Sequence, residues 1–202
     1  MNTEFLQRYF VAGSQNFPDL TLPECEGRIA LMMQSGITAY QFREKNPTLS
    51  TDEKQALAMR LRAKARELAV PFIVDDDVAL AIAIEADGIH VGQDDMPITD
   101  VVAQVAGQMI VGLSVRNKAE MVAAQSVMGI DYLGVGPVFA TTTKADAAAP
   151  LGLDGLMTTL NANTKQLPTV AIGGITLEDL PALHQSGVDG VAVISLLSEA
   201  PD

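Results

Sequence analysis

Along this chain, short runs of β-branched and aromatic residues alternate with longer segments in which apolar residues recur every three or four positions. That is the pattern of strands separated by helices. The strand-like runs cover residues 8–12, 38–44, 72–74, 88–91, 109–114, 131–135, 169–172 and 190–194. Helix-like segments fall between them at 22–34, 51–68, 78–85, from Ile98 onward, and at 117–128, 153–161 and 177–185. Ser50 with Glu53, and Asn117 with Glu120, each form a capping-box pattern, and Thr176 is placed as an N-cap. Three stretches, SGITAYQF, MGIDYLGV and SGVDGVAV, repeat one transition from helix to strand. In each, a glycine (Gly36, Gly129, Gly187) fits the left-handed position at a helix C-terminus, and the next residue (Ile37, Ile130, Val188) fits the apolar contact that follows it. ADGIHVGQ is a looser fourth copy. Eight strands alternating with helices, without a Gly-rich dinucleotide fingerprint, predict an α/β fold. The expected architecture is a closed (β/α)8 TIM barrel, one domain over residues 1–202, rather than an open doubly wound sheet. Only SEAPD follows the last strand and its SLL, so the last helix is expected to be short or missing.

One strand, helix, strand unit carries unusual polarity. The run FIVDDDVALAIAIEADGIHVGQDD has two apolar stretches that each end in acids, Asp75, Asp76 and Asp77 after the first, Asp94 and Asp95 after the second. Neighbouring parallel strands end on the same side, so both clusters belong at one rim of the sheet, where paired carboxylates can hold a hard cation such as Mg2+. The same acids also suit helix starts, Asp75 to Asp77 for the segment that follows them and Asp95, just before Met96 and Pro97, for the next.

Composition narrows the function classes. A formal net charge of −12 over 202 residues, with no Lys/Arg run, argues against a nucleic-acid partner. Small phosphorylated ligands remain compatible, since a few placed cations, backbone N–H groups and a bridging metal hold them. Cys25, the only cysteine, excludes an internal disulfide and a thiolate metal cluster, and is read as an inert thiol. No apolar run approaches the ~20 residues needed to span a membrane. The N-terminus MNTEFLQRYF lacks a secretory pattern, so a soluble, cytoplasmic protein without a membrane partner is expected. A homo-oligomeric state is compatible with the sequence.

In such a barrel the working face lies where strands end. The second strand ends in Gln41, Phe42, Arg43, Glu44 and Lys45, and a period of two puts Gln41, Arg43 and Lys45 on one face. Two cations and an amide turned inward call for an anionic ligand, although Arg43 also suits a pair with a barrel carboxylate. Ser114 ends the fifth strand and offers a hydroxyl. After the sixth, Gly134 and Gly136 leave space at the backbone, and Thr141, Thr142, Thr143 and Lys144 offer hydroxyls and a cation. Gly173 and Gly174 follow the seventh strand, and Ile194 and Ser195 close the eighth, where backbone N–H groups form the usual phosphate site of such barrels. His90, inside the fourth strand, is read as a satisfied barrel histidine.

YQFREK, FIVDDDVALA, DGIHVGQDD, GLSV, GVGPVFATTTKAD, AIGGIT and GVAVIS, in this order across nearly the whole chain, resemble the thiamine phosphate synthase family. The resemblance implies a transferase of thiamine biosynthesis that joins 4-amino-2-methyl-5-pyrimidinylmethyl diphosphate to 4-methyl-5-(2-phosphoethyl)thiazole, with release of diphosphate. The implied mechanism is dissociative: the diphosphate departs and the thiazole nitrogen attacks the resulting pyrimidinylmethyl cation. By motif match, Asp76 and Asp95 would hold Mg2+ as the cofactor. Gln41, Arg43, Lys45, Ser114 and Lys144 would surround the pyrimidine diphosphate, with Arg43, Lys45, Ser114 and Lys144 in catalytic roles. Thr141, Thr143, Gly174 and the Ile194 and Ser195 pair would take the thiazole phosphate. Asp75 is carried over as a further substrate-binding residue but departs from the family pattern, which has Asn before the metal-binding Asp, and a second acid there needs the metal, a cation or a proton beside it. Two other readings are a thiazole tautomerase, which would need neither the Gln41, Arg43, Lys45 set nor the acid pair, and a non-catalytic sensor of a phosphorylated ligand.

Overall fold

The structure is a computed structural model, and it describes residues 3–105, 107–141, 143 and 148–199. Eight parallel strands close into a barrel in chain order: β1 (Arg8–Ala12), β2 (Ala39–Phe42), β3 (Phe72–Asp75), β4 (Gly88–Val91), β5 (Ile110–Val115), β6 (Tyr132–Val135), β7 (Thr169–Ile172) and β8 (Gly190–Val193), with β8 paired back to β1. Around it run α1 (Leu22–Gln34), α2 (Thr51–Glu67), α3 (Val78–Ala83), α4 (Ile98–Val105), α5 (Lys118–Ala124), α6 (Gly152–Leu160), α7 (Leu180–Gln185) and α8 (Ser195–Ser198). The expected barrel is thus observed. Its last helix is a single four-residue turn, and Val191 and Val193 on β8 are only partly buried.

Strand alternation divides the apolar residues into two layers. Phe10, Tyr40, Phe42, Phe72, Val74 and Ile89 face outward and pack under the helices. Leu6, Tyr9, Val11, Ala39, Ile73, Tyr132, Val170 and Ala192 face inward and fill the barrel's lower half. Leu6 belongs to a 3-10 turn, Glu4–Leu6, that plugs the N-terminal mouth. The plug lies so close that a Cβ at Gly190 would sit 1.8 Å from the Leu6 carbonyl oxygen. Burying these large side chains contributes roughly 1.5–3 kcal/mol each, and it leaves the upper half of the interior to the polar residues at the strand ends.

Each of the three repeated glycines has positive φ, at 91° for Gly36, 94° for Gly129 and 89° for Gly187. The fourth copy is real but shifted: Glu85, not a glycine, takes the left-handed position at φ 52°, and Gly88 already belongs to β4. The shift aligns a polar residue three places after each turn residue's predecessor, and that residue has a fixed task. Thr38, Asp87, Asp131 and Asp189 accept a hydrogen bond from the backbone N–H of Arg8, Phe72, Val111 and Thr169, at 2.8, 2.8, 2.7 and 2.8 Å. Their own N–H groups donate to the carbonyls of the same four residues. The N-terminal rim is therefore stitched by four equal two-point clasps, each joining an even-numbered strand to the odd-numbered one before it.

Two start signals behave differently. Ser50 and Glu53 complete their capping box. Asn117 accepts from the Glu120 N–H at 3.0 Å, but the Glu120 carboxylate turns to Arg116 instead of back to Asn117. Helix α5 is correspondingly short, ending at Ala124 rather than Met128.

Candidate active site

The C-terminal rim opens into a cavity of about 440 Å³ bordered by all eight strand ends. Gln41 faces it from β2, and the alternation persists past the end of that strand because the Arg43 N–H still donates to the Ala12 carbonyl, at 3.0 Å. Arg43 and Lys45 thereby border the cavity with Gln41, as their spacing predicts. Glu44 is turned into the wall and buried, where its carboxylate accepts from the backbone N–H groups of Ser14 and Asn46, each at 2.8 Å.

The five acids separate by task. Asp77 caps α3, accepting from the Leu80 N–H at 3.0 Å, and pairs with Lys54 at 3.0 Å. Asp94 pairs with Arg116 at 2.8 Å at the solvent edge. Asp95 does not cap α4; it closes a turn by accepting from the Gly92 N–H at 2.7 Å. Asp75 pairs with Arg43, Oδ2 to Nε at 3.2 Å, with Lys45 at 3.9 Å. A neighbouring cation is thus what accommodates this additional acid. Asp76 takes φ 64°, a left-handed conformation that Asp tolerates better than most residues, with its N–H held by the His90 carbonyl at 2.9 Å. Its carboxylate meets the Lys45 ammonium at 2.6 Å and lies near enough to Asp95 for the two acids to influence each other's ionisation.

Two carboxyl groups in contact cannot both ionise cheaply. Burial opposes ionisation of Asp76, but Asp95 and the Lys45 ammonium outweigh it and hold Asp76 below the usual carboxylate range. Burial and the charge on Asp76 push Asp95 up. Burial also disfavours the Lys45 ammonium, and Asp76 with Asp75 more than reverses that. The two acids therefore titrate apart, Asp76 ionising more readily than a free carboxyl and Asp95 less readily, beside the Arg43 and Lys45 cations.

On the opposite side, Ser114 on β5, Thr141 and Thr143 after β6, Gly174 after β7, and Ile194 with Ser195 after β8 border the same cavity. The Thr143 N–H donates to Thr141 Oγ1 at 3.3 Å. Gly173 and Gly174 have φ 103° and 63°, and a Cβ on Gly174 would lie 2.3 Å from the Ala140 carbonyl oxygen. That loop therefore needs glycine for conformation and for space at once. Thr142 and Lys144 lie outside the described residues. No group of three or more His, Cys, Asp or Glu suited to a metal occurs among the described residues.

The cavity floor holds residues that the sequence did not single out as functional. His90 reaches Ser114 Oγ through Nε2 and Tyr132 Oη through Nδ1, both at 2.9 Å, and Tyr132 touches Tyr9 Oη at 2.7 Å. The signal was present in two glycines. A Cβ on Gly112 would be 2.3 Å from His90 Nδ1 and from Tyr132 Cζ, and one on Gly134 would be 3.1 Å from His90 Cε1. The space read at Gly134 as room at the backbone is in fact room for the histidine ring.

A family model described as thiamine monophosphate synthase matches residues 8–197. A thiamine-phosphate synthase of Levilactobacillus brevis is 49% identical over 199 residues, covering 98% of this chain and 89% of the relative. One of Lactococcus lactis subsp. lactis is 48% identical, covering 96% and 90%. Among solved structures, a thiamine phosphate pyrophosphorylase from Pyrococcus furiosus superposes with a TM-score of 0.84 at 35% identity, covering 99% of this chain and 91% of that one. A tryptophan synthase α-subunit from the same organism, at 15% identity and a TM-score of 0.68, shares the barrel fold alone. With a family model spanning almost its whole length and relatives near half identity, this chain belongs to the thiamine monophosphate synthase family.

Proposed function

We propose that the chain joins 4-amino-2-methyl-5-pyrimidinylmethyl diphosphate to 4-methyl-5-(2-phosphoethyl)thiazole, giving thiamine phosphate and diphosphate. The observation that carries this is the rim itself, where Arg43 and Lys45 stand against Asp75 and Asp76 and Asp95 borders the same cavity. An acidic protein holds a polyanion only by supplying cations locally, and this set fits a diphosphate together with its metal. Asp76 and Asp95 suit Mg2+, which is usually held by one or two carboxylates, with water and phosphate oxygens as its other ligands. Bound there, Mg2+ supplies neutralisation of charge on the departing diphosphate.

The remaining work falls to side chains. Arg43 offers its planar fork, Lys45 a point charge, and Ser114 a hydroxyl to the pyrimidine diphosphate, while Gln41 borders the floor below; Lys144 is assigned by the family resemblance alone. Thr141, Thr143, Gly174 and the Ile194 and Ser195 backbone take the thiazole phosphate on the far side, which sets the thiazole nitrogen against the pyrimidine methylene. The carbon–oxygen bond breaks with its electron pair leaving on the diphosphate, and the thiazole nitrogen lone pair forms the new carbon–nitrogen bond. No protein nucleophile enters, so catalysis is positioning and leaving-group stabilisation.

Purified protein given both substrates and Mg2+ should release diphosphate and thiamine phosphate in equal amounts, and lose this activity to a chelator. Absence of product with both substrates demonstrably bound overturns the proposal and favours a sensor of phosphorylated ligands.

A further inference from the structure

Beneath the proposed substrate cavity, five side chains from five strands form one continuous line. Gln41 Nε2 donates to Tyr9 Oη at 3.0 Å, Tyr9 Oη meets Tyr132 Oη at 2.7 Å, Tyr132 Oη meets His90 Nδ1 at 2.9 Å, and His90 Nε2 meets Ser114 Oγ at 2.9 Å. Gln41, Tyr9, Tyr132 and His90 are buried, with 8% exposure or less. Ser114, at the end of the line, borders the cavity.

An unbroken chain that starts at the Gln41 amide can run in one direction only. An amide nitrogen only donates, so Tyr9 Oη accepts from Gln41; either phenol can donate in the Tyr9–Tyr132 pair, and an unbroken chain from Gln41 has Tyr9 give its single proton to Tyr132. In that direction the single Tyr132 proton goes to His90 Nδ1. The ring then carries its proton on Nε2 and donates it to Ser114 Oγ, which leaves the serine's own proton to point at an acceptor in the cavity. Burial pushes both phenols well above their ordinary range, so each takes part as an intact hydroxyl. At Gly112, opposite Tyr132 in the β5 and β6 register, any side chain would clash with both rings, and at Gly134, opposite Ser114, one would press on the His90 ring.

We propose that His90, Tyr132 and Tyr9 are positioning residues: they carry a one-way hydrogen-bond chain from Gln41 to Ser114 and present the Ser114 hydroxyl as a donor to an acceptor atom of the substrate. Its catalytic side rests on the proposed function, but its geometric side does not. The chain contains only two histidines, His90 and His184, and His184 is exposed at the end of α7. In a His184→Gln background, nitrogen NMR of labelled histidine reads His90 alone. The expected spectrum is a single tautomer with the proton on Nε2 and a bare Nδ1. Tyr132→Phe should turn it into a mixture. A proton on Nδ1 in the parent, alone or with Nε2, overturns the proposal, whether or not the protein turns over substrate.

Kinetics then test the consequence. Tyr132→Phe should lower kcat/KM for the pyrimidine diphosphate about ten-fold in the parent, and by less than about two-fold once Ser114→Ala has removed the end of the line. The same loss in both backgrounds would show that Tyr132 acts independently of Ser114 and defeats the idea. His90→Gln places an amide N–H near the Nε2 position and should retain several-fold more activity than His90→Leu. Equal losses would assign His90 a packing role only.

Discussion

Aspartate does opposite work at the two ends of this barrel. At the N-terminal rim, Asp87, Asp131 and Asp189 each accept one backbone N–H from the neighbouring strand, at 2.7–2.8 Å, and repeat a single geometry. At the C-terminal rim, Asp75, Asp76 and Asp95 meet cations or one another, and no two share a geometry. The first set satisfies donors that would otherwise be left bare where strands begin. The second set gathers three carboxyls around Arg43 and Lys45 rather than at the starts of strands, so its arrangement is better explained by what binds than by what folds. Symmetry at one end and its loss at the other separate stability from function by position, as the barrel architecture anticipates.

The largest effect is expected from exchanging the two roles. Asp76→Ala removes a proposed metal ligand and the partner of Lys45. Turnover should fall by at least about 10²-fold, with the dependence on Mg2+ lost along with it. Retained activity would remove Asp76 from the metal site. Asp131→Ala, at the other end, should leave turnover per folded molecule unchanged, while unfolding in urea shows a loss of about 1–3 kcal/mol from the unpaired Val111 N–H. A fall in specific activity there would break the separation between the rims.

Next in size is a pH effect confined to the C-terminal rim. Asp95 is raised by burial and by Asp76, whereas Asp76 is lowered by Asp95 and Lys45 against its burial. If Asp76 and Asp95 hold Mg2+ as proposed, both must be ionised, so its affinity should rise about ten-fold per pH unit below the Asp95 value, with one proton released per ion bound in that range, and level off above it. Calorimetry in two buffers of different ionisation heat counts that proton. The stability signs are opposite for the two acids. Asp95, with its raised folded value, contributes fully below its unfolded pKa and loses that contribution as pH rises through the folded one. Asp76, lowered, contributes above its unfolded pKa and loses it as pH falls through the folded one. Asp95→Asn should abolish the proton release; a release unchanged by that substitution would assign the proton to another group.

The N-terminal rim was largely legible in the sequence, because its signals are local. A glycine after a helix, an apolar residue and a polar one recur at fixed spacing, and the eight strands follow from the same alternation. The inward set Gln41, Arg43 and Lys45 followed from a period of two, a purely local rule. What the sequence did not reveal depends on pairs far apart in the chain. The two acid clusters were expected at one rim, but that Asp75 is the carboxylate Arg43 meets, and that His90 joins Ser114 to Tyr132, are products of barrel closure, which brings residues 24 and 42 positions from His90 against its ring. The Asn117 box failed for a similar reason, since Arg116, held from across the loop by Asp94, draws Glu120 away. His90 was passed over because a buried histidine in a strand has a structural explanation of its own, and only the ring-shaped space at Gly112 and Gly134 gives it a second.

The smallest expected effect sharpens the comparison from the folding side. Three copies of the stitched turn place glycine in the left-handed position, and the fourth places Glu85 there, at φ 52°. An L residue in that region carries roughly 1–2 kcal/mol of steric cost, offset in part when the change to glycine loosens the unfolded chain. The Glu85 side chain is exposed, and its carbonyl, which accepts from Arg62, belongs to the backbone and survives substitution. Glu85→Gly should therefore stabilise the protein by about 0.5–1 kcal/mol, read as a higher urea midpoint with an unchanged slope, and leave turnover alone. The outcome that would defeat this is a lower midpoint. It would mean that the Glu85 side chain contributes more to this turn than glycine's freedom does, and that the fourth copy is a different device from the other three rather than the same one carrying a strained residue.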